Sequence, residues 1–300
     1  MKLLFLFLVM ASTQILAQET FPLYPGLIPG AIENADAETT NTLENGVVIV
    51  GKISRPTITV YKGEDKGGSG KKGMAIIIFP GGGYVINAVK HEGHDVGRWL
   101  SQQGITAFVV KYRVPDSAFM TNPSTAPLQD AQQAIGWVRE HARKYGIDKH
   151  KVGVLGFSAG GHLAASASTH YKTHLTSYKK VRPDFTVLIY PVISFTDSIG
   201  HIGSRDALLG KSPGQQDIKA WSNEMLVNAK TPPAFLAHAK DDWVNYKNSV
   251  MYAEALRAHK VRAELLLFPD GGHGFGMINP KASKQWPDEL LVWLSTFRAF

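Results

Sequence analysis

The sequence predicts one α/β domain, a mostly parallel, doubly wound sheet with helices on both faces. Two observations carry this expectation. Short runs at 75–79, 107–110, 152–155, 187–190, 234–237 and 265–268 are apolar at every position rather than at alternate ones, and segments long enough for helices separate them. Strands apolar on both faces belong to a parallel sheet covered on each side. Right-handed crossovers then give an open, doubly wound arrangement.

In chain order, residues 1–17 read as a secretory signal peptide. Lys2 is followed by an apolar run from Leu3 to Met10, polar Ser12, Thr13 and Gln14, and a cleavage position after Ala17. The run falls short of the roughly 20 residues of a membrane span, so no stable membrane anchor is expected and the mature chain is placed outside the cytoplasm, secreted or periplasmic. Residues 18–45 are polar and carry Pro22, Pro25, Gly26, Pro29 and Gly30, the pattern of an extended arm. Residues 46–300 form the domain. It opens with two strand-like runs, 47–50 and 57–61, the second alternating as in an edge hairpin. The Gly-rich stretch 67–73 lacks the glycine spacing and following helix of a phosphate loop and reads as a turn. A covering helix starts near Pro127, with Leu128, Ala131, Ile135, Val138 and Ala142 at helical spacing and Gly146 as the stop. Residues 194–230 lack clear strands and predict a short, polar helical excursion above the sheet in place of a large lid.

Composition narrows the function classes. The net charge is +7, but Lys and Arg are scattered, with no stripe or DNA-binding motif, so no nucleic-acid partner is expected. With no cysteine, thiolate catalysis, disulfides and an acylated-Cys anchor are excluded. His91-Glu92-Gly93-His94 is one residue short of a zinc helix, so neither a metal nor another cofactor is expected.

The chemistry centres on Gly156-Phe157-Ser158-Ala159-Gly160, between a strand and a helix start. An abrupt turn there lifts the Ser158 hydroxyl above the sheet edge, and small residues at 156 and 160 let strand and helix approach. Serine needs a general base held by a carboxylate, in the order Ser, acid, His. Asp241-Asp242 follows the strand at 234–237, and His273 stands among glycines after the strand at 264–268. Either aspartate serves the histidine; position just past the strand favours Asp241. Pro80-Gly81-Gly82-Gly83-Tyr84 follows an earlier strand, so the amides of Gly82 and Gly83, with that of Ala159, are the expected oxyanion donors. Tyr84, Trp221 and Trp243 are expected to stack on substrate, with Tyr190 a further candidate, and His162 to pack behind the turn.

These residues, with Lys111-Tyr112-Arg113-Val114-Pro115, Thr231-Pro232-Pro233-Ala234-Phe235, His238-Ala239-Lys240-Asp241-Asp242 and Gly271-Gly272-His273-Gly274-Phe275-Gly276, carry a family likeness. The chain resembles the α/β-hydrolases of the esterase/lipase type, and among them the secreted acetyl esterases found beside xylan-degrading enzymes. The likeness covers most of 74–299. It implies a serine esterase acting on short acyl esters, with acetylated xylan or a related plant polysaccharide as substrate, and it supports Asp241 as the acid. A feruloyl ester, a peptide substrate and a non-catalytic binding role are the alternatives. Pro80 stands where hormone-sensitive-lipase-like enzymes have histidine, and Asn245 where many relatives have proline.

Overall fold

The computed structural model describes residues 18–32, 37–44, 46–64, 73–173 and 175–298; the expected leader and the 67–72 turn lie outside them. The strands are β1 (Glu19–Pro22), β2 (Thr39–Thr42), β3 (Val48–Gly51), β4 (Thr57–Tyr61), β5 (Gly73–Phe79), β6 (Ile86–Asn87), β7 (Thr106–Lys111), β8 (Ile147–Phe157), β9 (Thr186–Ile189), β10 (Ala234–Ala239) and β11 (Ala263–Phe268). The helices are α1 (Asp95–Gln102), α2 (Ala126–Glu140), α3 (Ser158–Thr169), α4 (Ile202–Leu209), α5 (Gln215–Ala220), α6 (Lys247–Ala258) and α7 (Trp286–Arg298).

Eight strands form the central sheet in the order β1-β4-β7-β5-β8-β9-β10-β11. The six from β7 to β11 are parallel; β4 runs antiparallel to β7, and β1 antiparallel to β4. Alternation along β5 shows why its apolar run is continuous. Ala75, Ile77 and Phe79 join the core under α2, α3 and α6, while Met74, Ile76 and Ile78 join the core under α1 and α7. The chain leaves β5 for β7 on one side, then crosses back to β8 on the other. Such a reversal opens a crevice beyond the C-terminal ends of the strands flanking it.

The runs at 47–50 and 57–61 both give strands: β3 pairs with β2 and β6 in a small antiparallel sheet, and β4 enters the main one. One N-terminal expectation is corrected, since the arm is part of the packed fold. β1 forms the sheet edge, Leu23 and Tyr24 are buried, and the Tyr24 hydroxyl donates to Asp130 at 2.9 Å. Asp130 also holds Arg113 in a buried ion pair at 2.7 Å, and Arg113 reaches the Pro29 carbonyl at 2.9 Å. A buried charge needs such partners, so the arm is tied to the segment that follows β7. Residues 194–230 form α4, α5 and a 3₁₀ turn, Asn223–Leu226. Among the described residues no helix is long and apolar enough to cross a membrane.

Candidate active site

Ser158 is the first residue of α3, directly after β8, and its φ of 51° lies in the left-handed region. That conformation is costly for a residue with a side chain and persists only where its surroundings enforce it. Here the flanking glycines do so. A Cβ on Gly156 would sit 2.0 Å from the Gly160 carbonyl oxygen, and one on Gly160 would sit 2.2 Å from that of Phe79. Strand, turn and helix thus pack backbone against backbone, leaving the serine aimed off the end of the sheet.

Ser158 Oγ lies 2.9 Å from His273 Nε2, and His273 Nδ1 lies 2.8 and 2.9 Å from the two carboxylate oxygens of Asp242. This corrects the choice of acid. Asp241 instead accepts the Gly272 amide at 2.7 Å and stands 3.6 Å from Lys281, fixing the backbone of the histidine loop. The Gly272 hydrogen bond, above all, draws the Asp241 carboxyl below its ordinary pKa. For Asp242, burial opposes ionisation, but hydrogen bonds from His238 and His273 outweigh it and hold the carboxyl below its usual value. The Val244 amide adds a third donor at 2.7 Å, and His238 Nε2 lies 3.3 Å away. His238, missed in the sequence, points to Asp242 as the partner: it lies on β10 four residues earlier, with its ring wholly buried.

The glycine loop after β5 lies against the serine, since a Cβ on Gly81 would be 3.0 Å from that of Ser158. The Gly81 amide is occupied by Glu92 Oε2 at 2.7 Å. The loop carbonyls are taken too: Pro80 accepts the Tyr112 hydroxyl at 2.7 Å, Gly81 accepts Ala88 N–H and Gly82 accepts Val85 N–H, both at 3.0 Å. Gly82 has φ 131° and no room for a side chain, because its Cβ would meet the Ile86 carbonyl oxygen at 2.2 Å. Among the described residues no acceptor takes the amides of Gly82 and Gly83. Ala159, second in α3, presents one of the amides that every helix leaves unbonded at its start.

Of the expected stacking residues, the structure brings only Trp243 to this site in the open. Its indole is 65% exposed, 4.3 Å from the His273 ring and 4.9 Å from that of His201. Tyr84 is corrected to a core residue, 1% exposed, whose hydroxyl meets His162 Nδ1 at 2.8 Å. Trp221 lies half-buried between the rings of His162 and His170, and its carbonyl accepts His162 Nε2–H at 2.8 Å. Tyr190 is fully buried. His162 packs behind the turn, where burial drives its pKa down to about 3 and keeps it neutral. His91, Glu92 and His94 lie in a π-turn, Lys90–His94: His91 Nε2 stands 3.6 Å from Glu92 Oε1, while His94 turns away from them and its Nδ1 meets the Tyr61 hydroxyl at 2.9 Å.

The family model described as BD-FAE matches residues 64–256. This chain belongs to that family of α/β-hydrolase esterases. The match includes Ser158 and Asp242 and ends before His273. The BD-FAE chain is 39% identical over 210 residues to an acetylxylan esterase of Xylanibacter ruminicola, covering 68% of this chain and 41% of that protein. It is 34% identical over 230 residues to endo-1,4-β-xylanase B of Butyrivibrio fibrisolvens, covering 75% of this chain and 36% of that one. The chain therefore spans about two fifths of the length of these curated relatives. Among solved structures it resembles an acetyl ester-xyloside bifunctional hydrolase from Caldicellulosiruptor lactoaceticus, with TM-score 0.77, 36% identity, and coverage of 93% of this chain and 96% of the other.

Proposed function

We propose that this chain is a serine esterase that removes short acyl groups, acetyl foremost, from xylan or a related plant polysaccharide. The observation that carries the reading is the continuous relay from Asp242 through His273 to Ser158, at 2.8 and 2.9 Å. The acetyl and xylan assignment draws on the named relatives. With Asp242 ionised, His273 carries its proton on Nδ1 and offers Nε2 to the serine hydroxyl. Ser158 Oγ attacks the ester carbonyl as its proton passes to Nε2, and the amides of Gly82, Gly83 and Ala159 receive the oxyanion. As the C–O bond to the sugar breaks, His273 gives the proton to the departing sugar oxygen, which leaves as a hydroxyl. Next it takes one from water, which attacks the acyl-serine, releases acetate and restores the hydroxyl.

The exposed face of Trp243 beside His273 suits a sugar ring on the alcohol side of the ester. The same face would accept a planar feruloyl group, which makes a feruloyl ester the second reading. The N-terminal segment supports a secreted or periplasmic enzyme acting where such polymers lie.

The test is acetate release from acetylated xylan and ferulate release from feruloylated xylan, with Ser158→Ala and His273→Ala as controls. Each variant is expected to lose roughly 10⁴-fold or more in kcat while staying folded. Near-normal turnover in either would overturn the mechanism, and ferulate released faster than acetate would replace the substrate.

A further inference from the structure

Glu92 is a buried acid that the reaction above does not use. It is 4% exposed, and its two oxygens serve two different loops. Oε2 accepts the Gly81 amide at 2.7 Å, one residue before the expected oxyanion donors. Oε1 accepts the Tyr190 hydroxyl at 2.8 Å. That hydroxyl in turn accepts the Gly276 amide at 3.1 Å, three residues beyond His273, and the Tyr190 ring lies 4.9 Å from the His273 ring.

The contact is close on one side and enforced on the other. A Cβ on Gly81 would stand 2.6 Å from Glu92 Oε2, so only glycine lets the carboxylate reach this amide. Tyr190 is held at φ 37°, an unfavourable backbone for a residue with a side chain, and so is fixed by its surroundings. Both groups donate to Glu92, which requires two acceptor oxygens. Glutamine has one and would set an N–H against a donor. A buried carboxylate is costly to desolvate and often adds little net stability, which leaves its geometry as the reason to keep it.

We propose that Glu92 is a positioning residue, which clamps the oxyanion loop and the histidine loop in one register so that donors and base meet the same carbonyl. The clamp rests on the serine-esterase reading. It acts through Gly81 and Tyr190 and touches no substrate. Because it shapes the site for the tetrahedral species, its loss lowers kcat and leaves ground-state binding in place.

The experiment compares Glu92→Gln, Tyr190→Phe and the double variant on 4-nitrophenyl acetate, with Ser158→Ala alongside. Glu92→Gln is expected to lower kcat about 30-fold with KM within about 2-fold, less than the roughly 100-fold or greater cost of deleting an oxyanion donor outright. Affinity for a trifluoromethyl ketone, which mimics the tetrahedral species, falls by the same factor. Tyr190→Phe is expected to lower kcat about 10-fold, and the double variant to lose less than the product of the two, as residues of one chain of contacts do. Wild-type kcat in Glu92→Gln with only a lower Tm overturns the clamp while an inactive Ser158→Ala leaves the serine reading standing. Turnover surviving in Ser158→Ala removes both. Should Glu92→Gln not fold, Tyr190→Phe decides: kcat lowered at constant KM supports the clamp, and unchanged kcat overturns it.

Discussion

Asp241 and Asp242 are adjacent acids in unlike surroundings, one holding a loop backbone and the other facing two imidazoles. Asp242→Asn is expected to lower kcat by roughly 10⁴-fold, because the amide favours the wrong tautomer of His273. Asp241→Asn keeps an acceptor for the Gly272 amide and should stay within about 10-fold, well short of losing a triad member; steady-state kinetics of the pair would reverse the assignment if Asp241→Asn were the worse. The nucleophile and base were legible because glycines frame each of them in a loop after a strand. The acid was not, since both aspartates satisfy that rule and the choice depends on His238, whose approach requires the folded turn. Tyr84 escaped for a related reason: an aromatic near a motif is equally suited to fill the core behind it. Trp243→Ala is expected to raise KM for acetylated xylo-oligosaccharides about 10-fold, roughly the worth of one aromatic contact, and to leave ethyl acetate hydrolysis unchanged. Equal effects on both esters would remove its role in holding the sugar.

At the level of elements, the join of β8 to α3 is the least forgiving part of the fold. Gly160→Ala would place a methyl group 2.2 Å from the Phe79 carbonyl oxygen on β5, so α3 must move away from the sheet and take Ser158 with it. A loss of about 3 kcal/mol or more is expected, at the upper end of overpacking costs, measured as a fall in the urea midpoint together with lost turnover. Wild-type stability in that variant would mean the contact relaxes easily. The parallel strands were legible because burial on both faces writes itself into sequence as an unbroken apolar run. β2 and β6 were not: β2 is Thr-Thr-Asn-Thr, wholly exposed, and β6 is two residues long, so their pairing with β3 comes from where the chain passes. The same holds for β1, Glu-Thr-Phe-Pro, too short to show a pattern: it joins the sheet as Phe21 packs against Trp137 and as Leu23 and Tyr24 beyond it are drawn into the core.

For the molecule as a whole, His162 links the interior to acidity. Its pKa falls from the usual 6.5 to about 3 because burial disfavours the charged ring. The unfolded chain therefore takes up this proton first, so the contribution is complete above about 6.5 and is lost as pH falls toward about 3. Within that window each unit costs about 1.4 kcal/mol. His162→Gln is expected to be less stable at pH 7, and the gap should narrow at pH 5 when urea midpoints are compared; parallel decline of both proteins would contradict it. The sheet's outer boundary matters at this scale as well. β1 is four residues long, largely exposed, and ends in Pro22, which has no amide hydrogen. A neighbouring strand seeking to extend the sheet past β1 would find little length to grip and no donor at Pro22, so growth of the sheet is disfavoured at this one of its two edges, β11 being the other.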